Sequence, residues 1–315
     1  RKKEEKITIT RAMIKIKSVK GYQRDEDGNW EYFIDPKNKI AYVRITSFVG
    51  PTDTNANRAT GGTVYELREA MTKLQKEGMK SLILDLRFNP GGLLISATQT
   101  VDMFVEKGII ISRKGRVGPN VVIKATKKDT ISDVPIVVLI SSFSASGAEI
   151  LAGALADHNR AILVGERTYG KGSVQDVVYL DDGNNGKAAL KLTTSKYYLP
   201  NGVCIHREKG MTKDDEWGVN PHITVKMSPM EYAQILSARR EADVILGNDH
   251  DANAEDKEPA GDEEKKPEEP KDSSGETTEA PSPDEPKAEP GDRQLQRALD
   301  VLRAMDVMKS YLKAG

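Results

Sequence analysis

Four short apolar runs, each closed by turn residues, constrain this chain more than any other feature. They are Ile40-Ala41-Tyr42-Val43-Arg44-Ile45, Ser81-Leu82-Ile83-Leu84-Asp85-Leu86, Val134-Pro135-Ile136-Val137-Val138-Leu139-Ile140 and Ala161-Ile162-Leu163-Val164-Gly165. Short, nearly continuous apolar runs suit strands covered on both faces of a sheet. Segments of helical spacing lie between them. Val64, Leu67, Met71 and Leu74 share one face, and Gly78 marks a stop. A second helix fits Ile95 to Phe104 and a third fits Glu149 to Asp157. The repeated strand–helix order predicts an α/β core with a mixed sheet. Further strands are expected at Gly108–Ser112, at Val121–Lys124 and on to Val225, with a hairpin signalled by Asp181-Asp182-Gly183-Asn184-Asn185-Gly186. Ser228-Pro229 opens a helix that runs to Ala242.

Composition matters where it is uneven. Residues Asp249 to Asp292 hold 17 Asp/Glu against 5 Lys/Arg, a net −12 that leaves +11 on the rest of the chain. The same stretch holds seven of the 15 prolines and no aromatic residue. It has too little apolar surface to offset chain entropy, so residues 248–292 are expected to form a disordered acidic linker. The basic excess elsewhere reads as solvated surface, or as attraction to anionic partners that include the chain's own tail. No nucleic-acid motif is present. Beyond the linker, Leu295, Ala298, Leu299, Leu302, Met305 and Met308 form an amphipathic stripe, which predicts a helix over 293–315 packed on its own body or a neighbour's. The expectation is that the core folds without the linker and this helix.

Cys204 is the only cysteine, which excludes an internal disulfide and a cysteine metal cluster. No metal-ligand spacing is found and no cofactor is expected. No run approaches the roughly 20 apolar residues of a membrane helix. No signal peptide opens the sequence, which reads as an internal piece of a longer precursor.

Two segments carry the candidate chemistry: Phe143-Ser144-Ala145-Ser146-Gly147-Ala148-Glu149-Ile150 and Tyr169-Gly170-Lys171-Gly172-Ser173-Val174-Gln175. A helix and a strand fit between Ser146 and Lys171, so the two side chains can face one site. A serine hydroxyl needs a base beside it. A lysine amine serves as that base when uncharged, which burial in an apolar pocket favours. Gln175 is placed to orient the amine. Oxyanion donors are expected from the Gly147 N–H and from Gly91 or Gly92, where glycine allows close backbone approach.

At these residues the chain resembles the C-terminal processing peptidases, or tail-specific proteases, which use a Ser/Lys dyad. The resemblance runs from Ile7 to Val225. It includes Ile40 to Phe48, Leu84-Asp85-Leu86-Arg87-Phe88-Asn89-Pro90-Gly91-Gly92-Leu93-Leu94, Ser144 to Leu155, Val164 to Gln175, and Trp217-Gly218-Val219-Asn220-Pro221. It implies Ser146 as nucleophile, Lys171 as base, Gln175 as orienter, and Gly147 with the Gly91-Gly92 region as oxyanion donors. Ser144 is the rival nucleophile. The implied activity is endoproteolysis near protein C-termini through an acyl-enzyme. Implied partners are protein or peptide substrates, with further copies of the chain in an oligomer. The implied location is the periplasm or cell envelope.

The implied domains are the terminal strands of a truncated PDZ domain over 1–20, a peptidase core over 21–247, the linker over 248–292 and the helix over 293–315. The missing part of the PDZ domain leaves an alternative, a resting or non-catalytic binding scaffold of the same fold. Two other readings compete. Gly165 to Lys171 matches the first seven positions of a phosphate-binding loop, but Gly172 stands where a magnesium-binding hydroxyl belongs. A histidine-based hydrolase has His158, His206 and His222 to draw on, with His158 reading as a solvated helix end.

Overall fold

The computed structural model describes residues 17–51, 61–116, 119–131, 133–181, 187–244 and 291–314. The apolar runs become parallel strands in one sheet. Strands β1 (Val19–Lys20), β2 (Gln23–Arg24), β3 (Trp30–Glu31) and β4 (Phe33–Asp35) precede the first of these, β5 (Ile40–Ile45). Helix α1 (Gly62–Lys76) leads to β6 (Ser81–Asp85), and α2 (Leu94–Asp102) follows. After β7 (Lys107–Gly115) and β8 (Val121–Thr126), the chain returns to the sheet as β9 (Ile136–Ile140). Helix α3 (Gly147–Asp157) then leads to β10 (Ala161–Gly165). Beyond it lie β11 (Ser173–Asp181), β12 (Lys187–Tyr198), β13 (Ile223–Thr224), α4 (Pro229–Asp243) and α5 (Arg293–Ala314).

The main sheet runs β1-β5-β6-β9-β10-β13, with β4 also paired to β5. Strands β5, β6, β9, β10 and β13 are parallel, and β1 and β4 join antiparallel at the β5 side. The expected mixed sheet is therefore present. A second, antiparallel sheet runs β11-β12-β7-β8. The expected hairpin joins β11 to β12, but its tip at 182–186 lies outside the described residues. The expected PDZ strands fall mostly on residues 1–16, and the expected linker mostly on 245–290, which also lie outside them.

Side-chain alternation gives the main sheet two buried faces. Ala41, Val43, Leu82, Leu84, Ile136, Val138 and Leu163 point into the larger core beneath α1, α2 and α3. Helix α1 supplies Leu67, Met71 and Leu74, the spacing read from the sequence, and α3 supplies Leu151 and Leu155. Ile40, Tyr42, Ile83, Val137, Leu139 and Val164 form the opposite face, covered by Ala298, Leu299 and Leu302 of α5. The C-terminal helix thus docks on its own body. Arg303 pairs with Asp35 at 2.7 Å farther along the helix.

This docking bears on the expectation that the core folds without α5. Removing it would expose six apolar or aromatic side chains of the central strands, each worth about 1.5–3 kcal/mol when buried. Leu302→Ala is predicted to lower stability by about 2–4 kcal/mol in urea unfolding, because Leu302 is only 2 % exposed. A change below about 0.5 kcal/mol, the scale of ordinary surface substitutions, would show that α5 does not dock on the sheet.

Candidate active site

The serine, lysine and glycine candidates lie at or just beyond the carboxyl ends of parallel strands, where open α/β sheets place their ligands, whereas Gln175 lies on β11. The loop after β6 carries Asn89, Gly91 and Gly92. The turn after β9 carries Ser144 and Ser146, and the loop after β10 carries Lys171. Ser146 has φ 54° and ψ −112°, immediately before α3. That is strained backbone for a non-glycine residue. It sets Ser146 on a sharp strand-to-helix turn, half-buried, with Gly147 as the first helical residue.

The rival Ser144 is fully buried. Its Oγ donates to Leu86 O at 2.9 Å and accepts from Ser141 N at 3.0 Å. It fastens the turn to the end of β6 and has no open approach. Ser146 is therefore the accessible hydroxyl of the pair.

Gly91 approaches this turn closely. A Cβ there would lie 2.7 Å from Ser146 Cβ and 2.8 Å from Ala145 O, and Gly91 has φ 100°. Its N–H is already engaged, donating to Asn89 Oδ1 at 2.8 Å. The neighbouring bridge to Phe48 uses Gly91 O and Leu93 N, so the Gly92 N–H takes no part in it. At the first position of α3, the Gly147 N–H has no intrahelical acceptor. Of the expected oxyanion donors, Gly147 and Gly92 thus have N–H groups to offer, and Gly91 serves by its shape.

Glu149 joins the serine turn to the lysine loop. It is fully buried, and its Oε2 accepts from both Ser146 N and Lys171 N at 2.8 Å. Its Oε1 accepts from Thr168 Oγ1 at 2.6 Å and Gly170 N at 2.7 Å. The backbone nitrogens of Ser146 and Lys171 share one oxygen, so they are at most twice 2.8 Å apart. Burial raises the Glu149 carboxyl above its ordinary value, while the bonds from Thr168, Lys171, Gly170 and Ser146 act the other way. Sequence reading placed Glu149 only at the start of a helix. The available signal was the Ser146-x-x-Glu149 spacing of a capping box.

Lys171 is exposed, as is Gln175 on β11, and neither side chain has a hydrogen-bond partner among the described residues. The expectation of a buried lysine is corrected on this point. Its loop leads into the edge strand of the second sheet, and no described element covers it. Catalytic hydrogen bonds often tighten only when substrate is bound. The loop itself is firmly held: Arg207 N donates to Gly170 O at 2.9 Å, and Arg167 and Arg207 stack on Trp217 at 4.1 and 4.4 Å.

A second cluster lies behind the glycine loop. Asp85 is fully buried and accepts from Tyr42 Oη at 2.8 Å, from Arg87 at 2.7 Å and from Arg239. Burial works to raise its carboxyl, but Arg239 and Arg87 outweigh it and hold the group well below the usual carboxylate range. The phosphate-binding reading lacks a matching frame, and two of the three candidate histidines are engaged away from Ser146. The loop after β10 runs into a strand and not into the helix of a phosphate-binding loop. His158 bonds Ile109 O at 2.8 Å at the far end of α3, about 18 Å along the helix from Ser146. His222 accepts from Leu163 N at 2.9 Å.

If Glu149 sets this geometry, Glu149→Gln should slow any Ser146-dependent turnover about 100-fold, the scale of a misplacement near 1 Å. The amide keeps the shape but presents one oxygen to four donors. Ionised Glu149 is needed to accept all four. Because its folded value is raised, that form is lost on acidification earlier than for an exposed carboxylate. Its ionisation opposes folding as pH rises past the unfolded value, so no fall in melting temperature is expected from the lost charge. An unchanged rate in the folded variant would exclude this role.

Residues 39–225 match peptidase family S41. A carboxy-terminal-processing protease of Bartonella bacilliformis is 39% identical over 209 residues, covering 66% of this chain and 42% of that protein. A carboxyl-terminal-processing protease of Picosynechococcus is 32% identical over 231 residues, covering 73% and 48%. Among solved structures, the photosystem II D1 C-terminal processing protease is 33% identical, covering 59% of this chain and 42% of that one, with a TM-score of 0.48. The chain spans less than half the length of each. The family match itself takes in more than half of the chain, from the start of β5 to the end of β13. The chain belongs to peptidase family S41.

Proposed function

We propose that this chain carries the catalytic core of a serine endopeptidase that cleaves proteins near their C-termini. The observation that carries the reading is the Glu149 carboxylate, which bonds the backbone of both Ser146 and Lys171. In this reading Lys171, as the free amine, takes the Ser146 proton, and the Ser146 oxygen attacks the scissile carbonyl. The carbonyl oxygen becomes an oxyanion facing the Gly147 and Gly92 N–H groups. The leaving amine departs with the proton held by Lys171, and water then hydrolyses the acyl-enzyme. Gln175 orients the amine. Substrate filling the cleft covers Lys171 and excludes water from it, which favours the uncharged base. No cofactor is required by these steps.

Exposed apolar side chains support a polypeptide substrate. Leu93 follows Gly92, Phe143 precedes the serine turn and Tyr169 precedes the lysine loop, and all three are exposed. Such side chains suit apolar segments of an unfolded chain more than a charged small molecule. Capture of a substrate C-terminus would fall to a PDZ domain. Residues 21–247 would be the catalytic core. A periplasmic or envelope location and oligomerisation belong to the same proposal. No helix among the described residues is long and apolar enough to cross a membrane.

The exposed, unpartnered Lys171 favours a second reading, a resting or purely binding form of the same fold. Cleavage of a denatured test protein separates the two. Ser146→Ala and Lys171→Ala should each lower cleavage by at least about a thousandfold while leaving the unfolding midpoint unchanged. Wild-type binding without cleavage would favour the scaffold, and full activity of Ser146→Ala would remove the nucleophile assignment.

A further inference from the structure

Helices α4 and α5 lie beyond the residues matched to the family, yet both reach the loop that carries Gly91 and Gly92. The contact begins at Arg87, which is 2 % exposed. On one side it bonds Asp85. On the other, Asp292 accepts from Nη1 at 2.7 Å and from Nη2 at 2.6 Å, and Gln294 Oε1 accepts from Nη1 at 3.3 Å. Asp292 also caps α5, accepting from Leu295 N at 3.0 Å, although sequence reading assigned it to the linker. From α4, Arg239 bonds Asp85 and donates to Arg87 O at 3.2 Å. Two guanidiniums face two carboxylates. The cluster is neutral only while Asp292 is docked.

The next residue is strained. Phe88 has φ 63°, which a bulky side chain adopts only when its surroundings impose it. Its ring stacks on Phe143 at 5.4 Å, meets Tyr232 of α4 edge-on at 5.4 Å, and lies 5.1 Å from the Arg239 guanidinium. Asn89 then passes this position to the serine turn. Its Oδ1 accepts from Gly91 N at 2.8 Å, its Nδ2 donates to Ile45 O at 2.9 Å, and its backbone O accepts from Ala145 N at 2.9 Å. An unbroken set of hydrogen bonds and covalent links therefore leads from the cap of α5 to the residue before Ser146.

We infer that Asp292 is a positioning residue for the candidate active site: by neutralising Arg87, docked α5 holds the Phe88–Gly92 loop in the shape that leaves the Gly92 N–H free beside Ser146. The catalytic consequence rests on the peptidase reading above, whereas the structural one does not. With α5 displaced, Arg87 and Arg239 share a single carboxylate in a buried site. The loop must then open to admit water to the guanidinium, and Phe88 is where its backbone already favours relaxation. Because α5 reaches its dock only through residues 245–290, docking is an intramolecular association. Anything that competes for α5 or for its sheet face would act on the glycine loop.

The test compares two ion pairs of one helix in the full chain. Asp292→Asn breaks the pair beside the loop. Arg303→Gln breaks the distant pair with Asp35, which touches no residue of the site. Hydrogen exchange of the amides from Asn89 to Leu93 is read for each, with kcat and KM on a peptide substrate. Asp292→Asn should speed exchange there about tenfold or more and lower kcat by a similar factor with KM nearly unchanged, a partial loss of one oxyanion donor. Asp292→Glu should restore much of both, and Arg303→Gln should leave both at wild-type values.

If Asp292→Asn does not fold, Gln294→Ala removes the other α5 acceptor on Arg87 and should give the same changes at smaller size. Unchanged exchange in a folded Asp292 variant would overturn the inference, as would an equal effect from Arg303→Gln. Absence of Ser146-dependent cleavage in wild type would instead remove the peptidase reading, and the exchange measurement would still decide the role of Asp292.

Discussion

Glu149 accepts four hydrogen bonds from residues on two loops, and the candidate site has its shape because of them. Its charge is buried, which costs several kcal/mol. Each bond to the ionised group returns about 1.5–3 kcal/mol. Burial outweighs the bonds at Glu149, whose carboxyl is raised, so its charge is not a source of stability. It instead fixes where the Ser146 turn sits relative to the Lys171 loop. A hydrophobic residue at 149 would pack well and leave four backbone or hydroxyl donors without an internal acceptor.

The same economy of position recurs behind the glycine loop. Asp85 ends a strand in which Leu82, Ile83 and Leu84 precede it, and its partners come from three directions: Tyr42 of β5, Arg87 of its own loop and Arg239 of α4. Arg87 carries the contact on to α5. Removing one member of such a cluster leaves an uncompensated buried charge, at about 3–5 kcal/mol. The sheet faces follow a parallel logic. One is covered by the helices that connect its strands, and the other by a helix that arrives from the far end of the chain. Structure that lies outside the family match thus reaches into the part that is matched.

Much of the frame was legible in the sequence because it depends on local pattern. Leu82–Leu86 and Ile136–Ile140 read as buried strands since their neighbours on both sides are apolar. Ser146 read as a nucleophile on a tight turn, and Gly91-Gly92 as close-approach backbone, because only small residues tolerate those positions. What escaped depended on distant partners. The apolar stripe of α5 announced that it packs, but nothing local said on which face. Asp292 looked like the last residue of an acidic run, and its guanidinium partner is remote in sequence. Glu149 sat at the start of an Ala- and Leu-rich helix, with nothing local to tie its carboxylate to the Lys171 loop. Lys171 looked buried from the strand before it, whereas the edge position of β11 leaves it open.

We propose that one hydroxyl, Ser146, is activated by Lys171 in a site held by Glu149. Mass-spectrometric mapping of the covalent adduct formed by a fluorophosphonate probe addresses it most directly. The account predicts phosphonylation on the peptide containing Ser146, at that residue, with the rate strongly reduced when Lys171 is replaced by alanine. An adduct on Ser144, or labelling of Ser146 at an equal rate without the lysine, would contradict it.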